Sequence, residues 1–272
     1  MPVKKNLPAF ILATIVGTIV CAPVAAQANN QKNKLQQILQ SGELRVCIWP
    51  DYYGITFKNP KTKTLTGIDI DLSVELEKDL GVKVKYIDSS FPELIDNLLK
   101  NKCDIAMHAV GITPARIAQL EFSQPYLRSD IYAIKSKTND TIQTWDDIDK
   151  PGRIVAVQDG TLMVSIMQKT LKQAKLVVVA PPLTREQEVE SGRADVFMTD
   201  FPYSRRMLET TDWARMIPPS KPFHMTDYAY AIAPGDPAFL TRINSFIDKI
   251  KRDGRLRSIA SKHKLDPIVV TN

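Results

Sequence analysis

The 272-residue chain is 44% hydrophobic and 24% charged and carries a formal net charge of +6. Such a length buries a substantial core and suits one large or two medium domains. The basic residues gather only near the C-terminus (Lys249, Lys251, Arg252, Arg255, Arg257, Lys262, Lys264), where aromatics are scarce; this excludes a nucleic-acid surface and leaves a solvated helix face.

The N-terminus has the layout of a secretory leader. Lys4 and Lys5 precede an apolar stretch over residues 7–20, and Ala26 and Ala28 offer small residues for cleavage. Residues 1–28 are therefore expected to be a signal peptide, cut after Ala28 or Ala26. The apolar run is short for a membrane span and is interrupted by Pro8. Acylation at Cys21 is disfavoured because Val20 stands where a small residue is wanted. No later segment has enough uninterrupted apolar residues to cross a bilayer, so a periplasmic, soluble mature chain is expected.

Beyond the leader, strands and helices alternate. Residues 33–40 predict a short amphipathic helix stopped at Ser41-Gly42, and 44–48 a buried strand. Helical spacing of apolar residues covers 68–80, with Gly81 as its stop. A strand over 82–87, a helix from Ser90 to about residue 100 and a strand over 104–110 complete a β-α-β-α-β unit. The same grammar then restarts: a strand at 153–157, a helix from Gly160-Thr161 to about residue 173, a strand at 176–179, a helix at 185–190, a strand at 194–198, and Pro202 in the first turn of another helix. Two α/β units with mostly parallel sheets follow from this succession. Extended segments at 129–134 and 227–232 flank the second unit, and the last forty residues are too few for a domain. Their simplest destination is the first unit. This gives lobe 1 as residues 29–131 plus 231–272 and lobe 2 as 132–230, with hinge strands near 129–135 and 227–233.

Cys47 and Cys103 remain after processing, and an oxidising compartment permits a disulfide. Cys47 lies late in its predicted strand whereas Cys103 opens another, so parallel neighbours would leave them out of register, and the expectation leans against a bond. The histidines His108, His224 and His263 show no metal-ligand spacing with either cysteine, and no metal or cofactor is expected.

Seven segments in order carry a family resemblance across nearly the whole mature chain: Leu44-Arg45-Val46, Gly67-Ile68-Asp69-Ile70-Asp71-Leu72, Cys103-Asp104-Ile105-Ala106-Met107, Gly111-Ile112-Thr113-Pro114-Ala115-Arg116, Phe122-Ser123-Gln124-Pro125-Tyr126, Gly160-Thr161 and Asp195-Val196-Phe197-Met198-Thr199-Asp200. Together they resemble bacterial extracellular solute-binding protein family 3, the polar amino-acid-binding proteins of ABC importers. The resemblance implies a two-lobed α/β periplasmic-binding-protein fold of type II with two hinge crossovers. It also implies capture of an amino acid or similar zwitterion by lobe closure, delivery to an inner-membrane ABC permease, and a monomer.

By the same resemblance Arg116 is the clamp for a ligand carboxylate, a task for which a planar guanidinium donates two parallel hydrogen bonds. Asp200 is the acceptor for the α-amino group, although a helix cap is its ordinary alternative. Gly160-Thr161 would put backbone N–H groups at a helix start near the carboxylate. Tyr52 and Phe91 sit where side chains sandwich the ligand, and Trp49 at the mouth. The segment His108-Ala109-Val110-Gly111 contributes the strand end, where hydroxyl residues are frequent in the family, and Leu162 and Met163 follow Thr161 where polar residues are common. These departures point to a ligand whose distal part is less polar than histidine, arginine or glutamine. His108 is either a ligand contact, a pH switch or a satisfied interior histidine.

The competing reading is an enzyme on this scaffold, similar to cyclohexadienyl (prephenate/arogenate) dehydratases, which would carry a glutamate shortly after the Gly-Thr turn; here Met163 stands there. A Gly-rich phosphate loop and a nucleophile elbow are both missing from the sequence. The expectation is a binding protein without catalysis.

Overall fold

The Asn33 side chain accepts the Gln36 N–H and opens α1 (Lys34–Ser41), which ends at Gly42 in the left-handed region. The computed structural model describes residues 1–4 and 33–271, so the expected leader from residue 5 onward, its cleavage sites and Cys21 lie outside the described residues. All regular elements described belong to the unit Lys32–Asn272. After α1 come β1 (Glu43–Ile48), the short pair β2 (Phe57–Lys58) and β3 (Leu65–Thr66), α2 (Ile68–Leu80), β4 (Lys83–Asp88), α3 (Leu94–Leu99), β5 (Ile105–Gly111), α4 (Pro114–Ile117), β6 (Glu121–Phe122) and β7 (Leu127–Ser129). The second series is β8 (Ile131–Ser136), β9 (Ile154–Gln158), α5 (Leu162–Thr170), β10 (Lys175–Val179), α6 (Arg185–Glu190), β11 (Val196–Asp200), α7 (Phe201–Thr210) and β12 (Ala214–Ile217). The chain closes with β13 (Thr226–Ile232), α8 (Pro237–Arg252) and α9 (Arg255–Lys262).

Most boundaries follow the sequence pattern. α2 occupies the span its apolar spacing demands, and α6 starts in a capping box between Thr184 and Gln187. α3 begins later than expected, at Leu94, because residues 91–93 form a turn first. α5 ends at Thr170, three residues early, where Leu171 takes extended backbone.

Two mixed sheets result. The first has the order β4-β1-β5-β13-β6, with β7 also pairing β13; the second has the order β10-β9-β11-β8-β12. In each, three parallel strands form the βαβαβ core, and strands arriving by the crossovers add antiparallel. The mostly parallel sheets of the sequence reading are thus parallel triplets with antiparallel flanks. The two orders are the same pattern used twice: second strand, first strand, third strand, crossing strand. α8 and α9 return to the first sheet's side, where α9 packs on α2. Among the described residues no helix is long and apolar enough to cross a membrane.

The chain leaves the first sheet at Ser129 and enters the second at Ile131; it returns between Ile217 and Thr226, and β13 pairs wholly within the first sheet. Asp130, buried between the crossings, ties them together. Its carboxylate accepts N–H groups from Phe223 (2.8 Å), His224 (2.7 Å) and its own neighbour Ile131 (2.7 Å).

One expectation is overturned. Cys47 and Cys103 form a disulfide with Cα atoms 5.6 Å apart. The register argument fails because Cys103 precedes β5 and is not in line with its strand. Cys47 is paired with Ala106 in the sheet, while Cys103, on the connection from α3, joins the apolar cluster of Cys47, Leu94 and Leu98 over that sheet face.

Candidate functional site

Each parallel triplet presents the C-terminal ends of its strands at the same edge, where open α/β sheets form crevices at the switch between their crossovers. The side chains expected from the sequence collect there. Trp49 and Tyr52 follow β1, Ala109 lies near the end of β5, Thr161 and Leu162 follow β9, and Asp200 ends β11. With Phe91, Arg116, Met163, Arg185, Thr199 and Tyr228 they line one cavity between the two sheets. Its free volume is about 20 Å³, close to what one water molecule fills, so a larger guest requires the two walls to part.

Arg116 comes from α4, which Thr113 caps by accepting the Arg116 N–H and Pro114 starts. Its side chain is 7% exposed. Nη1 donates to the Gly111 carbonyl at 2.9 Å and Nη2 to the Gly160 carbonyl of the opposite wall at 3.1 Å, while Cζ lies 5.1 Å from the Phe91 ring centre. Among the described residues no carboxylate pairs with it. Burial lowers its pKa to about 10, and the nearby Tyr228 and Tyr52 hydroxyls oppose that shift. A buried guanidinium held by neutral carbonyls alone is a strong site for an anion.

Asp200 is the N-cap of α7, where its carboxylate accepts the Tyr203 N–H at 3.2 Å. It also accepts the Tyr228 hydroxyl at 2.8 Å and the Tyr52 hydroxyl. Helix cap and cavity group therefore coexist at this position. Burial raises its pKa, and the donors from Tyr52, Tyr228 and Tyr203 hold the rise back.

Three rings form the cavity's aromatic wall: Trp49 stands 5.3 Å from both Tyr52 and Phe91, which are 5.9 Å apart. Ala109 carries an unusual backbone, with φ at +48°, beside a register shift between β5 and β13. Its N–H is held by Asp69 Oδ2 at 2.8 Å. The opposite wall is the start of α5, where Thr161 Oγ1 donates to the Gln158 carbonyl at 2.7 Å. The walls meet closely at two glycines. A Cβ on Gly160 (φ +70°) would lie 2.5 Å from Pro92, and one on Gly111 would lie 2.7 Å from Leu162 Cδ2.

His108 is placed otherwise. It is fully buried off the cavity wall, with its ring 5.2 Å from Phe91 and Nδ1 3.2 Å from the Cys47 carbonyl. That contact makes Nδ1 the protonated nitrogen and leaves Nε2 without a partner among the described residues. Burial lowers its pKa to about 4, against the opposing pull of the Cys47 carbonyl. Gly111 contributes its carbonyl to Arg116 without lining the cavity itself.

Sequence reasoning misses four lining residues as site groups. Met163 carries only the signal of a missing glutamate, and Thr199 stands one residue before Asp200. Tyr228 opens an extended segment with the pattern of a hinge. Arg185 has the pattern of a helix start, yet it is 3% exposed, donates to Met198 O (2.9 Å), Thr199 Oγ1 (3.2 Å) and Glu186 Oε1 (3.0 Å), and lies 4.4 Å from the Tyr203 ring centre. Nothing local distinguishes such an arginine from a surface one. Among the described residues no cluster of His, Cys, Asp and Glu could hold a metal ion.

Residues 44–266 match the family described as bacterial extracellular solute-binding proteins, family 3. A cyclohexadienyl dehydratase of Pseudomonas aeruginosa is 29% identical over 246 residues, covering 89% of this chain and 91% of its own. A probable histidine-binding protein of Campylobacter jejuni is 32% identical over 173 residues, 64% of each chain. Among solved structures, an ancestral amino acid-binding protein described as a precursor of cyclohexadienyl dehydratase superposes with a TM-score of 0.76 at 33% identity, covering 84% of this chain and 98% of that one. The relatives thus include binding proteins and an enzyme on the same fold.

Proposed function

The chain belongs to family 3 of the bacterial extracellular solute-binding proteins, and from that premise we propose that it captures an amino acid or similar small zwitterion by closure of two lobes. The observation that carries this reading is the opposition, across one cavity, of the Arg116 guanidinium and the Asp200 carboxylate, each buried and each on a different sheet's side. A ligand carboxylate would take the place of carbonyl contacts at Arg116, and its ammonium would take over the donation that Tyr52 makes to Asp200. Because the anchors belong to opposite lobes, the ligand binds the closed form better than the open one, which is the condition for a ligand to drive closure. Thr161 and the start of α5 support the carboxylate, and Tyr52, Phe91 and Trp49 enclose the side chain.

We place lobe 1 around the first sheet and lobe 2 around the second, with the hinge at Asp130 and at residues 218–225 in place of the segment near 227–233 suggested by the sequence pattern, because β13 pairs only within the first sheet and so belongs to lobe 1. In this reading the N-terminal leader directs the protein to the periplasm, where it acts as a monomer and hands its ligand to an ABC permease of the inner membrane.

The dehydratase relative favours a second reading, in which the cavity turns over prephenate or arogenate. The chemistry of the wall argues against it. Among the described residues Asp200 is the one carboxylate lining the cavity, it is committed to three donors, and Met163 stands where that reading wants an acid. A thermal-shift screen of the mature protein against the twenty amino acids tests the proposal, since a ligand that binds only the folded state raises Tm. A clear shift with one or a few supports it. No shift with any, together with turnover of prephenate or arogenate, replaces it with the enzyme.

A further inference from the structure

The two walls touch a second time, on the side where α9 ends. Lys264, just after α9, reaches across to Glu209 of α7, with Nζ 2.9 Å from Oε1. Around this bridge lies a chamber of about 220 Å³. Its charged lining is Arg205, Arg206 and Glu209 from α7, on the second sheet's side, and Lys262, His263 and Lys264 on the first sheet's side. None of these residues lines the ligand cavity.

Cations outnumber acceptors in this chamber. Glu209 is shared by three of them: Lys264 Nζ at 2.9 Å, Arg206 Nη1 at 3.1 Å and Arg205 Nη2 at 3.8 Å. Lys262 Nζ and His263 Nε2 both meet one oxygen of Asp71, Oδ2, each at 2.7 Å. Counting only the lysines and arginines, four positive charges meet two carboxylates. Arg205 makes no side-chain hydrogen bond among the described residues, since its approach to Glu209 is too long for one. Gly54 and Gly67 also line the chamber, and the backbone N–H of each has no acceptor among the described residues.

On one lobe alone such side chains would be ordinary solvated surface. Here the cations are divided between the lobes, so closure concentrates them and only Glu209 answers their repulsion across the gap. An anion lodged between the two sets reverses that repulsion. It also meets its full complement of donors only when the walls are together, so it binds the closed form better than the open one.

We propose that this chamber is an anion site bridging the two lobes, which takes a small, multiply charged oxyanion of the phosphate kind and thereby favours closure over the ligand cavity. Arg205 and Arg206 bring planar forks suited to an oxyanion, and Lys264 brings a point charge from the opposite lobe. The inference rests on the two-lobe reading above and is independent of which amino acid is captured. By reciprocity, the oxyanion and the captured zwitterion each tighten the binding of the other.

The test is calorimetry of the mature protein with inorganic phosphate, at an ionic strength held constant with sodium chloride. Phosphate should bind at one site per chain with a Kd below about 1 mM. Arg205→Gln on one lobe and Lys264→Gln on the other, both exposed positions, should each weaken it by about tenfold. Saturating phosphate should also tighten the binding of an amino acid found in the thermal-shift screen by about fivefold or more. No binding up to about 10 mM phosphate overturns the site, as does an equal response to chloride alone. A loss confined to the variant on one lobe, or an amino-acid affinity that phosphate leaves unchanged, overturns the bridge. The screen is run without phosphate, so these failures leave the capture reading standing. A screen in which no amino acid binds removes that reading, while phosphate binding in the two variants still decides the site.

Discussion

Two buried aspartates are surrounded by nearly the same chemistry and do different work. Asp69 accepts the Tyr126 hydroxyl at 2.6 Å, the Tyr230 hydroxyl at 3.4 Å and the Ala109 N–H. Asp200 accepts the Tyr228 and Tyr52 hydroxyls and the Tyr203 N–H. Every partner of Asp69 belongs to the first sheet or to the connection between its strands β6 and β7, so that knot stays tied whatever the cleft does, and it holds Ala109 in its left-handed backbone at the cavity wall. Asp200 takes its two hydroxyls from the other wall. Its knot exists only while the walls meet and can exchange a phenol for a ligand ammonium. Identical groups are structural in one place and exchangeable in the other because of which bodies contribute the donors.

The largest effects are expected at the exchangeable knot. Asp200→Ala and Arg116→Ala should each weaken ligand binding by about 3–4 kcal/mol, the cost of stranding a buried charge, read by calorimetry. Unchanged affinity in both would remove these residues from the site. Asp69→Ala should act on stability first: it strands the Ala109 N–H and the Tyr126 hydroxyl, costing about 3 kcal/mol, visible as a lowered Tm in scanning calorimetry. A variant as stable as the parent would show that Asp69 is no knot.

Tyr52→Phe probes the difference between the knots more gently. It removes the cross-wall hydroxyl while Asp200 retains Tyr228 and Tyr203, so affinity should move by about 1 kcal/mol or less. A loss as large as that of Asp200→Ala would mean Tyr52 itself anchors the ligand.

The smallest net effect is in pH. Burial raises the Asp69 pKa to about 7, with the Tyr126 hydroxyl the leading opposing influence. The native carboxyl therefore keeps a proton that the unfolded chain releases near 3.8; its contribution to stability is complete below that pH and is lost as pH rises through 7. His108 runs the other way. Its native pKa of about 4 lies below the ordinary 6.5, so its contribution is present above pH 6.5 and is lost as pH falls through 4. The two oppose each other between pH 4 and 6.5. Asp69→Asn should remove one side, so that Tm rises more steeply with pH than in the parent over that window. Parallel Tm profiles would refute the assignment.

Much of the cleft is legible in the sequence because its anchors sit at strand ends, where pattern breaks into turn and cap signals. Asp200 precedes a helix with Pro202 in its first turn, and Arg116 follows Thr113-Pro114, itself a helix start. Arg185 is not legible as a site residue, since it occupies the opening turn of an ordinary-looking capped helix. The disulfide escapes a register argument because strand register says nothing about a connection that crosses over a sheet face. His108 lies on the expected strand, but the bulge beside Ala109 and the packing of Phe91 put it behind the wall.

The succession of strands and helices, the repeated βαβαβ unit, the helix caps and the residue types at the strand ends all follow from the amino-acid order, because they depend on local periodicity and on groups a few residues apart. Which tyrosines reach which aspartate, and that Cys47 meets Cys103, are matters of the folded molecule alone. Those pairings span separations such as 148 residues between Tyr52 and Asp200, and they depend on how two sheets with the same strand order are set edge to edge, which no local pattern encodes.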